Sequence, residues 1–480
     1  MIWYSLYVRS FADTNGDGIG DLRGVIEKLE YLQALGIEGI WLLPIHPSPS
    51  YHKYDVVDYR GIDPEYGTMD DFDELLNKAH QIGIKIIIDL VVNHTSEQHP
   101  WFKEAIKSRD SYFRNWYVWK IVNAIPVDDL KNWYDPMDGP RDEFYYGLFW
   151  SGMPDLNFDH PPVRNEIREI ATFWLNKGID GFRLDAAMHI FPPGRETDNY
   201  LWWQEFRAHV ESINPEAVLI GEITASCGNI APYLKNGLHA AFNFELAEHI
   251  LQVVITEHQD CLADWLKGIH NYYQEIDAHS FDAIFLSNHD QDRVASRLHH
   301  DSRKIKLAAA ILLTLPGQPF LYYGEELGMG GMKPDEHIRE PFPWDESNKD
   351  PLQTHWINSE YSNAQHTDDL MEQLQDPSSI FNHYCLLIAV RKSNSVLTKG
   401  EIGLVNCNET SVLMFTREYQ GEKILILHNL LSTDVLLKNE DDPLIHFELL
   451  HETHPDCEAD AHQFKLAPYA SMILKAIPSI

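Results

Sequence analysis

The chain has 480 residues, 44% of them hydrophobic and 12% aromatic, with a formal net charge of −35. That length exceeds one simple core and predicts two or three domains, while the apolar share excludes a disordered chain. The acidic balance, 73 Asp+Glu against 38 Lys+Arg, repels nucleic acid and anionic membranes but does not oppose a neutral polymer such as a glucan.

Strand-like runs alternate with helical patterns from the start. Residues 2–8 read as a strand. They lack a basic n-region and a cleavage site, and no apolar run in the chain is long enough for a bilayer, so the expected location is cytoplasmic. Next comes Asp13-Thr14-Asn15-Gly16-Asp17-Gly18-Ile19-Gly20-Asp21. Oxygen-bearing side chains at alternate positions, with glycines that allow a tight curl, follow the logic of a calcium loop. Asp13, Asn15, Asp17 and Asp21 would supply side chains and Ile19 a carbonyl, to a structural Ca2+ or Mg2+. The distal Glu of an EF-hand is absent, and the same residues also make a plain Asp/Gly turn.

Residues 22–35 have helical spacing and stop at Gly36; 39–44 is a second strand, and 70–82 a helix ended by Gly83. The nearly continuous apolar run 84–92 is typical of a strand buried on both faces. Residues 94–162 are rich in Trp, Tyr, Pro and Asp with weak periodicity, which is too long for a βα loop. They predict a small inserted domain after strand three that walls the active face. Strands follow at 181–185, 218–222, 240–244, 283–287 and 320–323, with helical patterns between. The predicted class is α/β, a (β/α)8 TIM barrel. Beyond about residue 394 the period becomes two, with strands at 411–416, 423–428 and 471–475, predicting a C-terminal antiparallel β-sandwich. The expected division is 1–93 with 163–393 for the barrel, 94–162 for the insertion and 394–480 for the last domain. Five scattered cysteines (Cys227, Cys261, Cys385, Cys407 and Cys457) form no CxxC pair, so no disulfide framework or zinc site is expected.

Several predicted barrel strands end on carboxylates, the placement by which barrels present catalytic groups. In Gly181-Phe182-Arg183-Leu184-Asp185, alternation points Arg183 and Asp185 the same way. The guanidinium should lower the Asp185 pKa and keep a nucleophile charged; a buried structural ion pair explains the segment equally well. Glu222 ends Val218-Leu219-Ile220-Gly221, where desolvation and nearby carboxylates should raise its pKa and make it a proton donor. Capping the next helix is the plainer reading. Asp290, in Ser287-Asn288-His289-Asp290, is a third carboxylate. His94 and His289 lie at or just past strand ends and could bond sugar hydroxyls; neither has zincin-like spacing.

Taken together, Asp89-Leu90-Val91-Val92-Asn93-His94, the 181–185 segment, Glu222 and Asn288-His289-Asp290, in this order and on these strands, resemble the α-amylase family of retaining glycoside hydrolases. The resemblance implies Asp185 as nucleophile, Glu222 as general acid/base and Asp290 as stabiliser of the distorted sugar. It implies sugar contacts from Tyr54, Arg183, His94 and His289, a largely architectural role for Asp89 and Asn93, and key carboxyls roughly 5–5.5 Å apart. His99-Pro100-Trp101-Phe102 looks like the oligo-1,6-glucosidase branch; Met153-Pro154-Asp155-Leu156-Asn157 looks intermediate between it and the neopullulanases. In that branch a small residue such as Ala186 goes with α-1,4 rather than α-1,6 cleavage. Tyr51 replaces an Asp that closes the pocket there, and Arg339 could supply a terminal-sugar contact. Met188 stands where many members have Lys or Arg on the leaving-group side, with His189 retained beside it.

The implied activity is retaining hydrolysis of α-1,4 bonds in maltooligosaccharides or starch, with transfer to other sugars as a side reaction. Exo-acting α-glucosidase, cyclomaltodextrinase, glucanotransferase and trehalose synthase are the rivals. A sugar-binding homologue without catalysis would normally lack one of the three carboxylates, all of which are present. The sequence leaves the oligomeric state open.

Overall fold

The computed structural model describes all of the 480 residues except 126, 138, 140–141, 346–349, 364, 406–408, 439–444, 461–462 and 479–480. Strands β1 (Trp3–Leu6), β2 (Gly39–Leu42) and β3 (Lys85–Leu90) are followed by a separate small sheet of β4 (Trp119–Ile121), β5 (Trp133–Tyr134) and β6 (Glu143–Tyr146). The chain then returns with β7 (Gly181–Leu184), β8 (Val218–Gly221), β9 (Ala240–Phe242), β10 (Phe281–Phe285) and β11 (Gln318–Tyr322). Strands β1–β3 and β7–β11 form a closed parallel barrel, sealed where β1 pairs with both β2 and β11. The Ile86-Ile87-Ile88 run of β3 is wholly buried, as β-branched residues in a parallel sheet covered on both faces should be. The helix Met69–Gln81 starts at Thr68, whose side chain and that of Asp71 cap each other's backbone amides.

The first three barrel strands are shorter than their apolar runs, β10 and β11 begin two residues earlier than expected, and three expectations need correction. The first strand stops at Leu6, and Val8–Phe11 is a helical turn. The helix expected over 22–35 is two, Leu22–Glu27 and Leu29–Leu35. They meet at Lys28, whose ammonium pairs with Asp350 at 2.6 Å and lies over the Trp344 ring. The strand expected over 240–244 ends at Phe242 because Asn243 caps the next helix, accepting from the Leu246 amide.

The β4–β6–β5 sheet is antiparallel and is tied back by isolated bridges, His94 to Asp155 and Tyr117 to Leu156. Aromatic contacts fill it: Trp101 on Trp116 at 4.6 Å, and Phe102 on Tyr145 at 4.9 Å. At the C-terminus, β12 (Glu401–Leu404), β13 (Val412–Tyr419), β14 (Glu422–Asn429), β19 (Ser471–Pro478) and β16 (Ile445–Glu452) form one antiparallel sheet. A smaller one holds β15 (Val435–Lys438), β18 (Gln463–Leu466) and β17 (Glu458–Ala459). Leu425, Leu427 and Met472 of the first share a buried cluster with Leu437, Phe464 and Leu466 of the second. One buried arginine, Arg417 on β13, joins this part to the barrel, and a second, Arg391 on the barrel helix Ile380–Ser393, holds the turn beside it. Arg391 donates to the carbonyls of Leu313, Leu315 and Gly317, and Arg417 to those of Thr314 and Gly400.

Cys227, Cys261, Cys385 and Cys457 are free thiols; Cys407 lies outside the described residues. Among the described residues, no helix is long and apolar enough to cross a membrane.

The barrel wall is tight at Gly39, where a methyl group would fall 2.3 Å from the Trp3 ring, itself stacked on Phe320. Gly39→Ala should therefore destabilise the protein by about 1–3 kcal/mol, seen as a lower midpoint in guanidinium unfolding followed by Trp fluorescence. An unchanged midpoint would show that the ring has room to move.

Candidate active site

The site is assembled at the C-terminal ends of the barrel strands. Asp89 on β3 and Arg183 on β7 are register partners. The Arg183 Nη1 donates to both Asp89 oxygens at 2.8 and 3.0 Å and to Asp185 Oδ1 at 2.8 Å, while Nη2 donates to Glu222 Oε2 at 2.6 Å. Asp185 and Glu222, expected to converge, thus share one guanidinium. Ala186, just past Asp185, has a left-handed backbone (φ 46°) and aims its amide at Glu222 Oε2, 3.1 Å away. A β-branched residue would bear that conformation at greater cost than alanine does. Both bonds to Glu222 fall on Oε2, so a proton carried by this residue sits on Oε1.

Burial pushes the carboxyls of Asp185 and Glu222 up from their ordinary values, and that of Asp89 up to about 7; Arg183 opposes the shift in each case. For Asp185 this reverses the lowering expected from the sequence, because desolvation outweighs the single guanidinium. For Glu222 the upward direction agrees, with the charges of Asp185 and Asp290 adding to burial. Asp290 differs. Burial would raise its carboxyl too, but neighbouring positive charge holds it well below the usual carboxylate range. The Arg339 guanidinium, 2.9 Å away, carries that effect. His289 is 3.1 Å from Asp290, yet its own burial lowers its pKa and keeps the ring neutral at neutral pH, so it contributes little charge there.

Tyr54, His94, Asp185, Glu222, Asp290 and Arg339 line one cavity of about 270 Å³. Arg183 and His289 are buried beneath it: the Tyr54 ring stacks on His289 at 5.5 Å, and its hydroxyl meets His289 Nε2 at 2.7 Å and Asp89 Oδ2 at 3.1 Å. Burial lowers His94 to about 4, so it too is neutral, with Nε2 at 3.2 Å from the Tyr54 carbonyl. His189 is not part of that lining; its ring is edge-on to Phe149 at 6.3 Å. Sequence reasoning missed five residues of the lining: His52, Phe149, Trp150, Met153 and Asp335. His52 neighbours Tyr54, and Met153 lies in a motif already singled out. The adjacent Phe149-Trp150 pair in the insertion was the available signal for the aromatic wall.

The loop 13–21 lies apart from this cavity. Asp13 accepts from the amides of Asn15, Gly16 and Gly18, Asn15 from that of Asp17, and Asp17 from that of Ile19. Asp21 accepts from Thr14 and caps the helix that follows through Gly24. Among the described residues, no three acidic, His or Cys side chains converge as a metal cage. The donor set is all oxygen, the class a hard cation takes, but Asp13 and Asp21 already accept several bonds from within the loop, and of the carboxylates only Asp17 accepts a single amide.

The cluster predicts a pH-dependent defect. In Arg183→Met the carboxyls of Asp89, Asp185 and Glu222 lose the cation that holds them down. Their folded pKa values climb further above the unfolded ones, so stability is lost as pH rises through the range in which the unfolded chain ionises. The variant should be destabilised by about 3–5 kcal/mol near neutral pH and by less near pH 4, read from thermal midpoints across pH. A defect of equal size at both pH values would contradict the electrostatic account.

Comparison with known proteins agrees with this geometry. Residues 5–400 match the alpha-amylase catalytic domain and residues 412–473 the alpha-amylase SusG C-terminal domain. Alpha-amylase 3 of Dictyoglomus thermophilum is 43% identical over 474 residues, spanning 99% of this chain and 93% of that protein. A 4-alpha-glucanotransferase of Thermotoga maritima is 35% identical, over 91% of this chain and 97% of its own. The crystal structure of an alpha-amylase from H. orenii, 40% identical, superposes with a TM-score of 0.91 over 99% of both chains. With the barrel, the three converging carboxylates and a match over most of its length, the chain belongs to the alpha-amylase family of glycoside hydrolases.

Proposed function

We propose that this protein hydrolyses α-1,4-glucosidic bonds in maltooligosaccharides or starch with retention of configuration, and transfers glycosyl groups to other sugars as a side reaction. The observation that carries this reading is the Arg183 guanidinium holding Asp185 and Glu222 side by side at one cavity. Glu222, with its raised pKa, protonates the glycosidic oxygen from Oε1 while Asp185 attacks the anomeric carbon. The glycosyl ester on Asp185 is then opened by water that gives its proton to the Glu222 carboxylate. Asp290, kept charged by Arg339, faces the positive charge that develops on the sugar ring. Tyr54 presents a flat ring backed by His289, and the neutral His94 bonds hydroxyls. The family resemblance assigns His189 to the leaving side, and Phe149, Trp150 and Met153 of the insertion line one side of the cavity. The small Ala186 favours the α-1,4 linkage, although relatives at 30–34% identity are named oligo-1,6-glucosidase. A second reading, removal of terminal glucose, draws on the Arg339–Asp335 pair beside Asp290 in the cavity wall.

The proposed structural ion is calcium, or magnesium in its place, held by Asp13, Asn15, Asp17, Asp21 and the Ile19 carbonyl. It would brace the loop, with no step of the reaction passing through it.

The products formed from maltoheptaose over time test the main reading. A ladder of mid-length sugars supports internal cleavage, and glucose alone from the outset selects the second reading. Asp185→Asn should abolish reducing-sugar release. The profile of kcat/KM against pH should be a bell. Its alkaline limb, where Glu222 loses its proton, should lie above the ordinary Glu value of about 4.3. Glu222→Gln should remove that limb and cost about 10²–10⁴-fold in rate; a limb that persists in this variant assigns the proton elsewhere. Separately, Ca2+ should raise the thermal midpoint of chelator-treated protein, and Asp17→Ala should blunt that rise; an equal rise in the variant would remove the ion from this loop.

A further inference from the structure

Asp185 and Glu222 leave barrel strands with their amides bonded to the neighbouring strand, on the carbonyls of Leu90 and Leu184. Asp290 has no such anchor. It lies in the loop after β10, and its amide donates to Asn288 Oδ1. Arg339 fixes its carboxylate instead: Nη2 donates to Asp290 Oδ1 and Nε to the His289 carbonyl, both at 2.9 Å. Yet Arg339 is itself a loop residue, just past the short helix Asp335–Ile338 that follows β11. A charge that must stay in place through the reaction is therefore held by a group that no strand holds.

The loop is strapped down by its carbonyls. Three in a row accept from side chains at the ends of β1, β10 and β11. The Ile338 carbonyl accepts from Arg293 Nε at 2.8 Å and Tyr322 Oη at 3.3 Å, that of Arg339 from Ser10 Oγ, and that of Glu340 from Tyr323 Oη at 2.8 Å. Arg293 makes the most of these contacts. Its Nη1 also donates to the Tyr323 carbonyl at 2.7 Å and its amide to the Gly331 carbonyl at 2.9 Å, while the guanidinium lies over the Tyr322 ring at 4.2 Å. The packing around it is close: a Cβ on Gly331 would fall 2.5 Å from the His337 carbonyl oxygen and 3.1 Å from Arg293 Cδ. Arg293 is only 1% exposed, and both of its side-chain hydrogen bonds go to main-chain oxygens. A planar fork that clamps two carbonyls fixes direction as well as distance, which a flexible ammonium does not.

We propose that Arg293 is a positioning residue for the reaction: by clamping the Ile338 and Tyr323 carbonyls it aims Arg339, and through Arg339 it sets where the Asp290 carboxylate stands. The inference rests on the functional reading above, in which Asp290 faces the charge that develops on the sugar ring. Arg293 does not line the cavity and touches no substrate. Its effect passes through two links in series, the Ile338 carbonyl and then the Arg339 guanidinium. Loss of the clamp lets Arg339 shift, and the carboxylate it carries then meets the transition state at the wrong distance.

The test follows fluoride release from α-maltosyl fluoride, whose fluoride leaves without help from an acid, in a double-mutant cycle with Asp290→Asn. Rates are referred to the folded fraction, measured by near-UV circular dichroism. In Arg293→Met, kcat and kcat/KM should fall together by about 10–100-fold with KM nearly unchanged, because the lost contact serves the transition state. In the Asp290→Asn background the same substitution should cost less than about threefold, since the carboxylate it positions is already gone. Arg293→Lys keeps the charge but not the fork, and should recover only a small part of the loss. Tyr323→Phe removes one bond of the strap and leaves the buried charge in place; it should show the same pattern more weakly, and it carries the cycle if Arg293→Met does not fold. Losses that multiply in full in the double variants overturn the proposal, as does a kcat unchanged in the single ones. Full recovery in Arg293→Lys overturns it too, by making the role one of charge alone. A wild type that releases no fluoride overturns the functional reading and this inference with it.

Discussion

One guanidinium organises the site. Arg183 is buried and faces the carboxyls of Asp89, Asp185 and Glu222 at once. A single positive charge cannot neutralise three buried negative ones, so the cluster holds a proton more readily than isolated carboxyls would. Position decides where that proton goes. Asp89 is gripped by both of its oxygens and receives Trp41 and Tyr54 as further donors, which favours its charge. Glu222 has an oxygen not engaged by Arg183 or the Ala186 amide, and the charges of Asp185 and Asp290 add to its burial in favouring the proton. A charged nucleophile beside a protonated acid is then the arrangement of lowest electrostatic cost.

The barrel makes that arrangement rigid. Asp89 and Arg183 project from adjacent strands in register, and Asp185 and Glu222 leave β7 and β8 with their amides still bonded to the neighbouring strand, on Leu90 and Leu184. The groups are thus fixed by the sheet before any substrate arrives, as electrostatic stabilisation of a transition state requires. Arg339 does for Asp290 what Arg183 does for the others, but with one carboxylate at close range and a second, Asp335, at 3.3 Å. The two arginines therefore leave the acids in opposite states of proton affinity within a single cavity.

Much of this was legible in the sequence, and the exceptions share a physical cause. Strand tips ending in Asp185 and Glu222 could be found because a parallel strand buried on both faces writes a continuous apolar run, and the polar residue that ends it is conspicuous. The alternation that put Arg183 and Asp185 on one side is a property of the strand alone. The direction of the Asp185 shift was not legible, since a sequence shows the adjacent arginine but not how completely both groups are withdrawn from water. The break at Lys28 escaped for the same reason: Asp350 and Trp344, which draw the lysine inward, lie more than three hundred positions away. Phe149 and Trp150 belong to a segment without periodicity, and which cavity they face is decided by bonds to Asp155 and Glu97.

The joint between barrel and C-terminal sheets has an evolutionary corollary. Arg417 reaches from β13 to the Thr314 carbonyl at the end of the helix Ser302–Thr314, beside the Leu313 and Leu315 carbonyls that Arg391 of the barrel helix Ile380–Ser393 already holds. Every amino acid supplies that oxygen, so the side chains around the seam can drift while Arg417 persists. Relatives could exchange terminal modules across such a seam without redesigning it, whereas trimming the module away would strip the Thr314 carbonyl of its guanidinium.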